Sequence, residues 1–306
     1  MSEIIPAGIM GLAIGDSLGM PFETARQDNP KLLGWDGSYQ PSAYHRLNPG
    51  QYTDDTKATL IIAQSLIDNN GFRPADIAEG YVHWLRKENQ RGMGRTTRLA
   101  LENLNNGHDW THSGVKDAEG NGTAMRASPF GMFFYEDLNT AAEFARMDAR
   151  ITHNSLEAQE GSAAVALASS LLFDGVDKLE IIELFIPYLN DSLIKKKLLE
   201  LERITFNEPF EKSVQDTMKY FGTKAHVVET VPSAFAAFLM TSSYEECILT
   251  AIKAGGDTDS VGAIAGGMAG LFYGRDGIPQ KYIDGIEDLK LLDEIDDAFF
   301  RMAGKE

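Results

Sequence analysis

The sequence has little cysteine, little positive charge and no long apolar run. Its single cysteine, Cys247, excludes an internal disulfide bond and a cysteine-rich zinc site, and it fits a reducing compartment. There are 28 Lys and Arg residues against 45 Asp and Glu residues, which gives a formal net charge of −17 at pH 7. This excess of negative charge argues against a nucleic-acid groove or an anionic membrane surface.

Two apolar stretches stand out, near Val261–Tyr273 and Ala163–Phe173, but they are too short and too rich in small residues to span a bilayer. The acidic Glu3 stands where a signal peptide would carry lysine or arginine. We therefore expect mature sequence, a cytoplasmic location and no membrane partner. No linker or repeat divides the chain, so we expect one domain over residues 1–306.

Apolar residues recur at intervals of three and four along most of the chain, and this periodicity predicts an all-α fold. No convincing strand pattern is present. Five of the apolar runs are followed by a glycine, at the position where helices commonly end with a residue in the left-handed conformation. These glycines are Gly71, Gly107, Gly175, Gly222 and Gly255. The predicted helices are Lys57–Asp68, Pro74–Lys87, Thr96–Leu104, Thr140–Arg150, Ser155–Phe173, Asp177–Leu189, Ser192–Ile204, Phe210–Tyr220, Ser243–Ala254, Asp259–Tyr273 and Leu289–Ala303. Among them, the charged segment from Lys178 to Lys224 is predicted to form outer helices on an inner layer.

Glycines recur every four residues in two further helical segments. The first stripe is Gly11, Gly15 and Gly19, and the second is Gly262, Gly266, Gly270 and Gly274. Because glycine inside a helix costs about 0.5–1 kcal/mol relative to alanine, such stripes require a compensating gain. We predict that both helices pack closely against neighbours in the centre of the molecule.

Two short acidic clusters, Thr53-Asp54-Asp55-Thr56 and Asp257-Thr258-Asp259-Ser260, each open one of the helical segments. Either cluster alone is an acceptable helix start, because a side-chain oxygen accepts from free backbone amides and negative charge suits the helix N-terminus. Each nevertheless offers about four oxygen-bearing side chains, which is more than a cap needs. Together they favour a site for Mg²⁺, Mn²⁺ or Ca²⁺, which prefer hard oxygen ligands.

Three other segments carry polar groups that suit a ligand site, although each has an ordinary explanation. Glu23 follows a proline-terminated helix, where a glutamate is usually solvated. The segment Gly120-Asn121-Gly122-Thr123 is either a simple turn or a phosphate cradle with free backbone amides. His153, after Thr152, fits a structural histidine as well as a ligand-binding one.

Read in order, these segments resemble the ADP-ribosylglycohydrolase family over almost the whole chain. The matching segments are Gly15-Asp16-Ser17-Leu18-Gly19 with Glu23, Thr53-Asp54-Asp55-Thr56, Gly120-Asn121-Gly122-Thr123-Ala124-Met125-Arg126, Thr152-His153 and Gly256-Asp257-Thr258-Asp259-Ser260. The resemblance implies a compact orthogonal multi-helix bundle with two divalent cations, Mg²⁺ or Mn²⁺. It also implies hydrolysis of the N- or O-glycosidic bond at the anomeric carbon of ADP-ribose.

The resemblance implies three groups of site residues. The metal ligands it implies are Thr53, Asp54, Asp55, Asp257, Asp259 and Ser260, where Ser260 replaces the family's usual threonine. The substrate-binding residues it implies are Gly92, Gly94, Asn121, Gly122, Thr123 and His153. The catalytic residues we predict are Glu23, Asp55 and Asp259, although the sequence leaves the acid or base open among these and Asp54. Arg126 either helps to bind the ligand or pairs with a core carboxylate.

One position departs from the relatives that act on arginine or reactivate nitrogenase. They carry an aspartate where this chain has Gly92, and without it a guanidinium leaving group loses its partner. The sequence therefore does not decide whether the acceptor is a protein, a small molecule or a nucleic-acid end. We expect a monomer. Three alternatives remain: another metal hydrolase such as a phosphomonoesterase, a silent crystallin-like relative, and an ADP-ribose binding module.

Overall fold

The computed structural model describes residues 5–87, 90–205 and 212–305, which are almost entirely helices and their connections. The α-helices of the described residues are α1 (Gly8–Gly19), α2 (Pro30–Leu33), α3 (Asp54–Asn69), α4 (Pro74–Arg86), α5 (Arg95–Asn105), α6 (Trp110–Ser113), α7 (Ser128–Phe133), α8 (Leu138–Thr152), α9 (Leu156–Phe173), α10 (Ile181–Phe185), α11 (Leu193–Thr205), α12 (Val214–Phe221), α13 (Val227–Leu239), α14 (Tyr244–Lys253), α15 (Thr258–Gly277), α16 (Gln280–Ile283) and α17 (Leu289–Met302). Short 3₁₀ helices occupy Met20–Phe22, Ala124–Arg126 and Ile186–Tyr188. Two strands of two residues, β1 (Val115–Lys116) and β2 (His153–Asn154), pair in parallel. The all-α prediction is confirmed.

The centre of the molecule is the contact between α1 and α15, and the two glycine stripes face each other there. A Cβ built on Gly15 would lie 2.0 Å from the carbonyl oxygen of Gly262, and one on Gly11 would lie 2.4 Å from that of Gly266. No side chain other than hydrogen fits at such a distance. The predicted close packing is confirmed, and the neighbour of each glycine helix is the other glycine helix.

Around this pair, α9 and α13 are buried over nearly their whole length, while α11 and α12 each present one buried face. The amphipathic helices between Lys178 and Lys224 thus form part of the outer layer, as predicted. Among the described residues, none of the helices combines the length and the hydropathy that crossing a lipid bilayer requires.

Several helix predictions differ from the structure in ways that have local causes. The sequence periodicity did not reveal α13, because this helix is apolar on every side and contains Pro232. The predicted helix Asp177–Leu189 is only α10 followed by a 3₁₀ turn that contains Pro187. In α15, Gly274 has a φ of +67° and breaks the helical conformation, so it makes a kink. The start of the predicted helix Phe210–Tyr220 lies outside the described residues.

Candidate active site

The first acidic cluster, at the start of α3, is held by a carboxylate from α1. The fully buried Asp16 accepts hydrogen bonds from the backbone amides of Thr53 (3.0 and 3.1 Å) and Thr56 (3.1 Å). It also accepts from the Thr53 hydroxyl at 2.8 Å and the Thr56 hydroxyl at 2.6 Å. Because Asp16 satisfies these amides, Asp54 and Asp55 are not needed as caps. Asp16 is not among the site residues predicted from the sequence, where its only signal is that of a lone aspartate in an apolar, glycine-rich helix.

The second acidic cluster, at the start of α15, is held mainly by backbone hydrogen bonds. The Gly256 amide donates to the carbonyl of Ala25 at 2.8 Å, and the Gly256 carbonyl accepts from the Thr24 amide at 2.7 Å. The next amide, of Asp257, donates to the carbonyl of Thr223 at 2.7 Å. Gly256 has a φ of +84°, and a Cβ there would lie 2.3 Å from the same Thr223 oxygen. Glycine is therefore required at position 256 both by the positive φ and by the close approach of the Thr223 carbonyl.

Both helix starts open onto one cavity of about 230 Å³. Larger cavities occur elsewhere, and this one is distinguished by its four buried aspartates. Most residues predicted from the sequence line it, namely Glu23, Asp54, Asp55, Gly92, Gly94, Asn121, Gly122, His153, Asp257, Asp259 and Ser260. The two predicted threonines do not line it. The Thr53 hydroxyl donates to Asp16, which leaves its oxygen lone pairs available, and the Thr123 hydroxyl donates to the carbonyl of Ala158 at 3.0 Å.

The four aspartates repel one another in a site from which water is largely excluded. Burial, followed by the charge of Asp16, raises the pKa of Asp54 to about 7. Burial and the neighbouring carboxylates also raise the pKa values of Asp55 and Asp259 well above their usual range, and burial raises that of Asp257. In addition, Oδ1 of Asp55 is buried and has no hydrogen-bond partner among the described residues. A divalent cation would supply the missing partner and cancel the repulsion, so the residues present fit a metal centre.

A histidine that the sequence analysis did not identify, His45, completes the acidic site. Its Nε2 forms a short contact with Oε2 of Glu23, and the side chain is only 7% exposed against 22% for Glu23. Ligand atoms of His45, Glu23 and Asp259 lie within 4.8 Å of one another. Burial lowers the pKa of His45, but the hydrogen bond and charge of Glu23, with the charges of Asp54 and Asp16, raise it more. The chain carries His45 in a loop without regular spacing, so no sequence pattern marked it.

The glycine loop Gly120–Thr123 forms the opposite wall of the cavity. The side-chain amide of Asn121 donates to Oδ2 of Asp257 at 2.5 Å and to the Thr230 hydroxyl at 3.0 Å. This bond ties the loop to the start of α15. The imidazole of His153 packs on the loop, because a Cβ on Gly120 would lie 3.1 Å from Nε2 and one on Gly122 would lie 2.9 Å from Cε1.

Hydrogen bonds connect His153 to Arg126 through Thr152. Arg126 donates to the Thr152 hydroxyl at 3.0 Å, and that hydroxyl forms a hydrogen bond of 2.9 Å with Nδ1 of His153. Burial, aided by the charge of Arg126, lowers the pKa of His153 to about 3. The imidazole is therefore neutral at pH 7, and its Nε2 lies beside the glycine loop.

Arg126 itself is a core residue. Its guanidinium pairs with Asp148 at 2.8 Å, and the guanidinium carbon lies 4.9 Å from the centroid of the Tyr81 ring. It also donates to the carbonyl of Gly122 at 3.0 Å. Of the two interpretations of Arg126, the structure supports pairing with a core carboxylate. Through Gly122, the same residue fixes the glycine loop.

Gly92 packs directly against the start of α3. It has a φ of +71°, and a Cβ there would lie 2.4 Å from Oδ1 of Asp54 and 2.9 Å from Cβ of Thr53. A Cβ on Gly94, in contrast, would have open space around it, and the Gly94 amide donates to Oδ2 of Asp54 at 3.4 Å. A side chain at position 92 is therefore excluded in this conformation, because it would collide with the acidic cluster.

Comparison with known proteins shows which family of hydrolases has this fold and this carboxylate-lined cavity. The model of the ADP-ribosylglycohydrolase family matches residues 4–306, and the chain belongs to this family. An uncharacterized protein of Archaeoglobus fulgidus is 33% identical over 300 residues, which are 96% of this chain and 95% of that protein. The ADP-ribosyl-[dinitrogen reductase] glycohydrolase of Rhodospirillum rubrum is 27% identical over 299 residues, covering 96% and 95%.

A solved structure has the same fold. It is described as an ADP-ribosylglycohydrolase-related protein complex, has a TM-score of 0.80 and 28% sequence identity, and the similarity covers 97% of this chain and 96% of that one. The similarity therefore extends over nearly the whole fold.

Proposed function

We propose that this protein is a divalent-cation-dependent glycohydrolase that removes ADP-ribose from a modified acceptor by cleaving the bond at the anomeric carbon. Membership of the ADP-ribosylglycohydrolase family supports action on an ADP-ribosyl group. The observation that carries the metal dependence is the convergence of four buried aspartates on one cavity, where one oxygen of Asp55 has no hydrogen-bond partner in the part of the chain that the structure describes. We also propose a single domain over residues 1–306; the monomeric state and cytoplasmic location stay predictions.

Two divalent cations, Mg²⁺ or Mn²⁺, suit the oxygen donors of this cavity better than zinc does. The residues that would hold them are Thr53, Asp54, Asp55, Asp257, Asp259 and Ser260. When bound, such cations orient hydroxyl groups and lower the pKa of bound water. The chain contributes rigidity, since Asp16 fixes one end of the donor set and the Gly256 backbone fixes the other.

Glu23 is the carboxylate that we assign to proton transfer. It is more exposed than the four aspartates, and its carboxylate lies within 4.8 Å of that of Asp259. Its contact with His45 holds the carboxylate in one orientation, which makes His45 a positioning residue. The carboxylates also stabilise the positive charge that develops on a ribosyl ring when the anomeric bond breaks. Asp55 and Asp259 remain candidates for the base.

The opposite wall suits a diphosphate. Asn121, Gly122 and the neutral His153 line it. Neutral donors and backbone amides bind an anion without a fixed positive charge. Because the chain as a whole is strongly acidic, we expect ligand affinity to depend on divalent cations more than on ionic strength.

The acceptor side of the site has no carboxylate at position 92, where a Cβ would collide with Asp54. A guanidinium leaving group would lack that partner, so we propose that an arginine-linked substrate is not favoured over an oxygen-linked one.

A panel of substrates tests the proposed function. ADP-ribosylated arginine, ADP-ribosylated serine, O-acetyl-ADP-ribose and a phosphomonoester are each incubated with EDTA, Mg²⁺ or Mn²⁺, and the release of ADP-ribose or phosphate is measured. We expect release of ADP-ribose only with a divalent cation, and loss of both turnover and cation binding in Asp55→Asn and Asp259→Asn. Full activity of either variant would refute the site. Release of phosphate alone would identify a phosphatase, and binding of ADP-ribose without any turnover would identify a binding module.

A further inference from the structure

A second cavity lies on the other side of the wall that bounds the candidate active site. It has a volume of about 220 Å³ and is lined by Thr53 and Arg91, among others. The next residue after each of these, Asp54 and Gly92 respectively, lines the active site instead. The two cavities therefore lie on either side of the same backbone segments, and Thr53 is the one residue of the second cavity that has a role in the proposed reaction.

Cationic side chains outnumber carboxylates by one around the second cavity, although the protein has a net charge of −17. Lys57, Lys87 and Arg91 line it, against two carboxylates, Glu287 and Asp288. Both carboxylates already have partners. Arg91 is paired with Glu287, and Asp288 accepts a hydrogen bond of 2.7 Å from the Tyr52 hydroxyl.

The two lysines complete this charge distribution. Neither Lys57 nor Lys87 forms an ion pair with any residue in 5–87, 90–205 or 212–305. Two lysines thus line the cavity beside the Arg91–Glu287 ion pair. Their positive charge attracts anions, and ammonium and guanidinium groups together are a common phosphate-binding set.

The remaining walls are aromatic. Tyr52 and Trp84 line the cavity and are largely buried, and the guanidinium of Arg91 lies 5.9 Å from the centroid of the Tyr52 ring. An aromatic surface beside cationic groups suits an organic molecule that carries a phosphate. We propose that this second cavity binds a small phosphate-bearing anion, independently of the glycohydrolase reaction.

Binding is tested by calorimetric titration of the full chain with inorganic phosphate and, separately, with adenosine 5′-monophosphate in the presence of EDTA. The variants are Lys57→Met and Lys87→Met. Lys196→Met is the matched control, because it removes the same charge from α11, where the side chain is 63% exposed. We expect saturable binding of at least one ligand to the wild-type protein. Loss of a charged hydrogen bond should weaken it about tenfold in Lys57→Met and about threefold in Lys87→Met, whose side chain is more exposed.

The control should bind as the wild type does, and tighter binding of the nucleotide than of phosphate would show that the organic part contacts the aromatic wall. Lys87→Met keeps the test valid if Lys57→Met disturbs α3. Absence of saturable binding to the wild type, or unchanged affinity in both cavity variants, would overturn the proposal. Neither lysine lines the active-site cavity, so a ligand held there contacts neither of them, and the binding assay does not require glycohydrolase activity.

Discussion

The starts of α3 and α15 carry similar acidic clusters but are held in place by different means. At α3, the side chain of Asp16 satisfies two backbone amides and two hydroxyls. At α15, backbone hydrogen bonds of Gly256 and Asp257 do most of the work, with one side-chain bond from Asn121. One start depends on a single buried charge, whereas the other depends on a glycine and the path of the neighbouring chain.

This difference has an electrostatic consequence. Asp16 adds a fifth buried carboxylate to the site and contributes to the raised pKa values of Asp54 and Asp55. The supports of α15 are neutral. The α3 start should therefore be the more sensitive of the two to pH and to the presence of cations.

The largest effect is expected from a change that separates the two starts. Gly15→Val places a side chain where even a Cβ would lie 2.0 Å from the Gly262 oxygen. We expect a fall in melting temperature of about 10 °C or more, or failure to fold, because α1 and α15 must move apart. The measurement is thermal unfolding followed by circular dichroism.

Gly267→Ala is the control for that prediction. Gly267 lies in the same helix, α15, but a Cβ there would meet its nearest atom at 3.5 Å. Its melting temperature should change by less than about 2 °C. Equal melting of Gly15→Val and the wild type would mean that the glycine contact does not hold the helices together.

Asp16→Asn should disrupt the hydrogen bonds that hold the α3 start and leave those of the α15 start unchanged. The amide group offers one acceptor and would direct N–H bonds at groups that are themselves donors. We expect Mn²⁺ to bind about a hundredfold more weakly, as for other changes to residues that support metal ligands. Titration followed by electron paramagnetic resonance measures this, with the exposed Asp28→Asn as a control. Unchanged Mn²⁺ affinity would show that Asp16 does not position the ligands.

Asn121→Ala probes the α15 start in the same assay. It removes the side-chain bond to Asp257 but leaves the backbone bonds of Gly256 in place. We therefore expect about tenfold weaker Mn²⁺ binding, a smaller loss than for Asp16→Asn. A loss greater than that of Asp16→Asn would reverse the comparison between the two starts.

The smallest effect is expected from pH, on the melting temperature of the protein without bound cations. The pKa of Asp54 is about 7 in the folded state and near 3.8 when unfolded, so the folded state binds the proton more tightly. Its contribution to the free energy of unfolding is then present at low pH and lost as pH rises toward and through 7. In EDTA, the melting temperature of the wild type relative to Asp54→Asn should fall between pH 5.5 and pH 8.

The Asp54→Asn variant supplies the control for that series, since it keeps all other titrating groups, including His153, whose lowered pKa acts in the opposite direction. Adding Mg²⁺ should diminish the fall, because a bound cation favours the ionised carboxylate. A difference in melting temperature that stays constant across this range would contradict the raised pKa of Asp54.

Much of the fold could be predicted from local patterns. The periodicity of apolar residues revealed the long amphipathic helices such as α3, α4 and α17, because one face of each is buried and the other is solvated. It failed for α13, which is apolar on all sides, and it overextended α10 beyond a proline-containing turn. Glycine spacing indicated close helix packing, but it did not reveal which helices are partners, because that depends on contacts more than two hundred residues apart.

The sequence by itself determined which donor groups the site has: the two acidic helix starts, Glu23, the glycine loop and His153. Only the tertiary structure decided how they are held, because Asp16, His45 and the Thr223 carbonyl reach these groups from segments distant in the chain. It also decided that the Thr123 hydroxyl and Arg126 support the core, and that Thr53 and Arg91 form one wall of a second cavity. Local spacing encodes the type of a residue and its helix face, whereas hydrogen-bond partners and shared walls arise from packing.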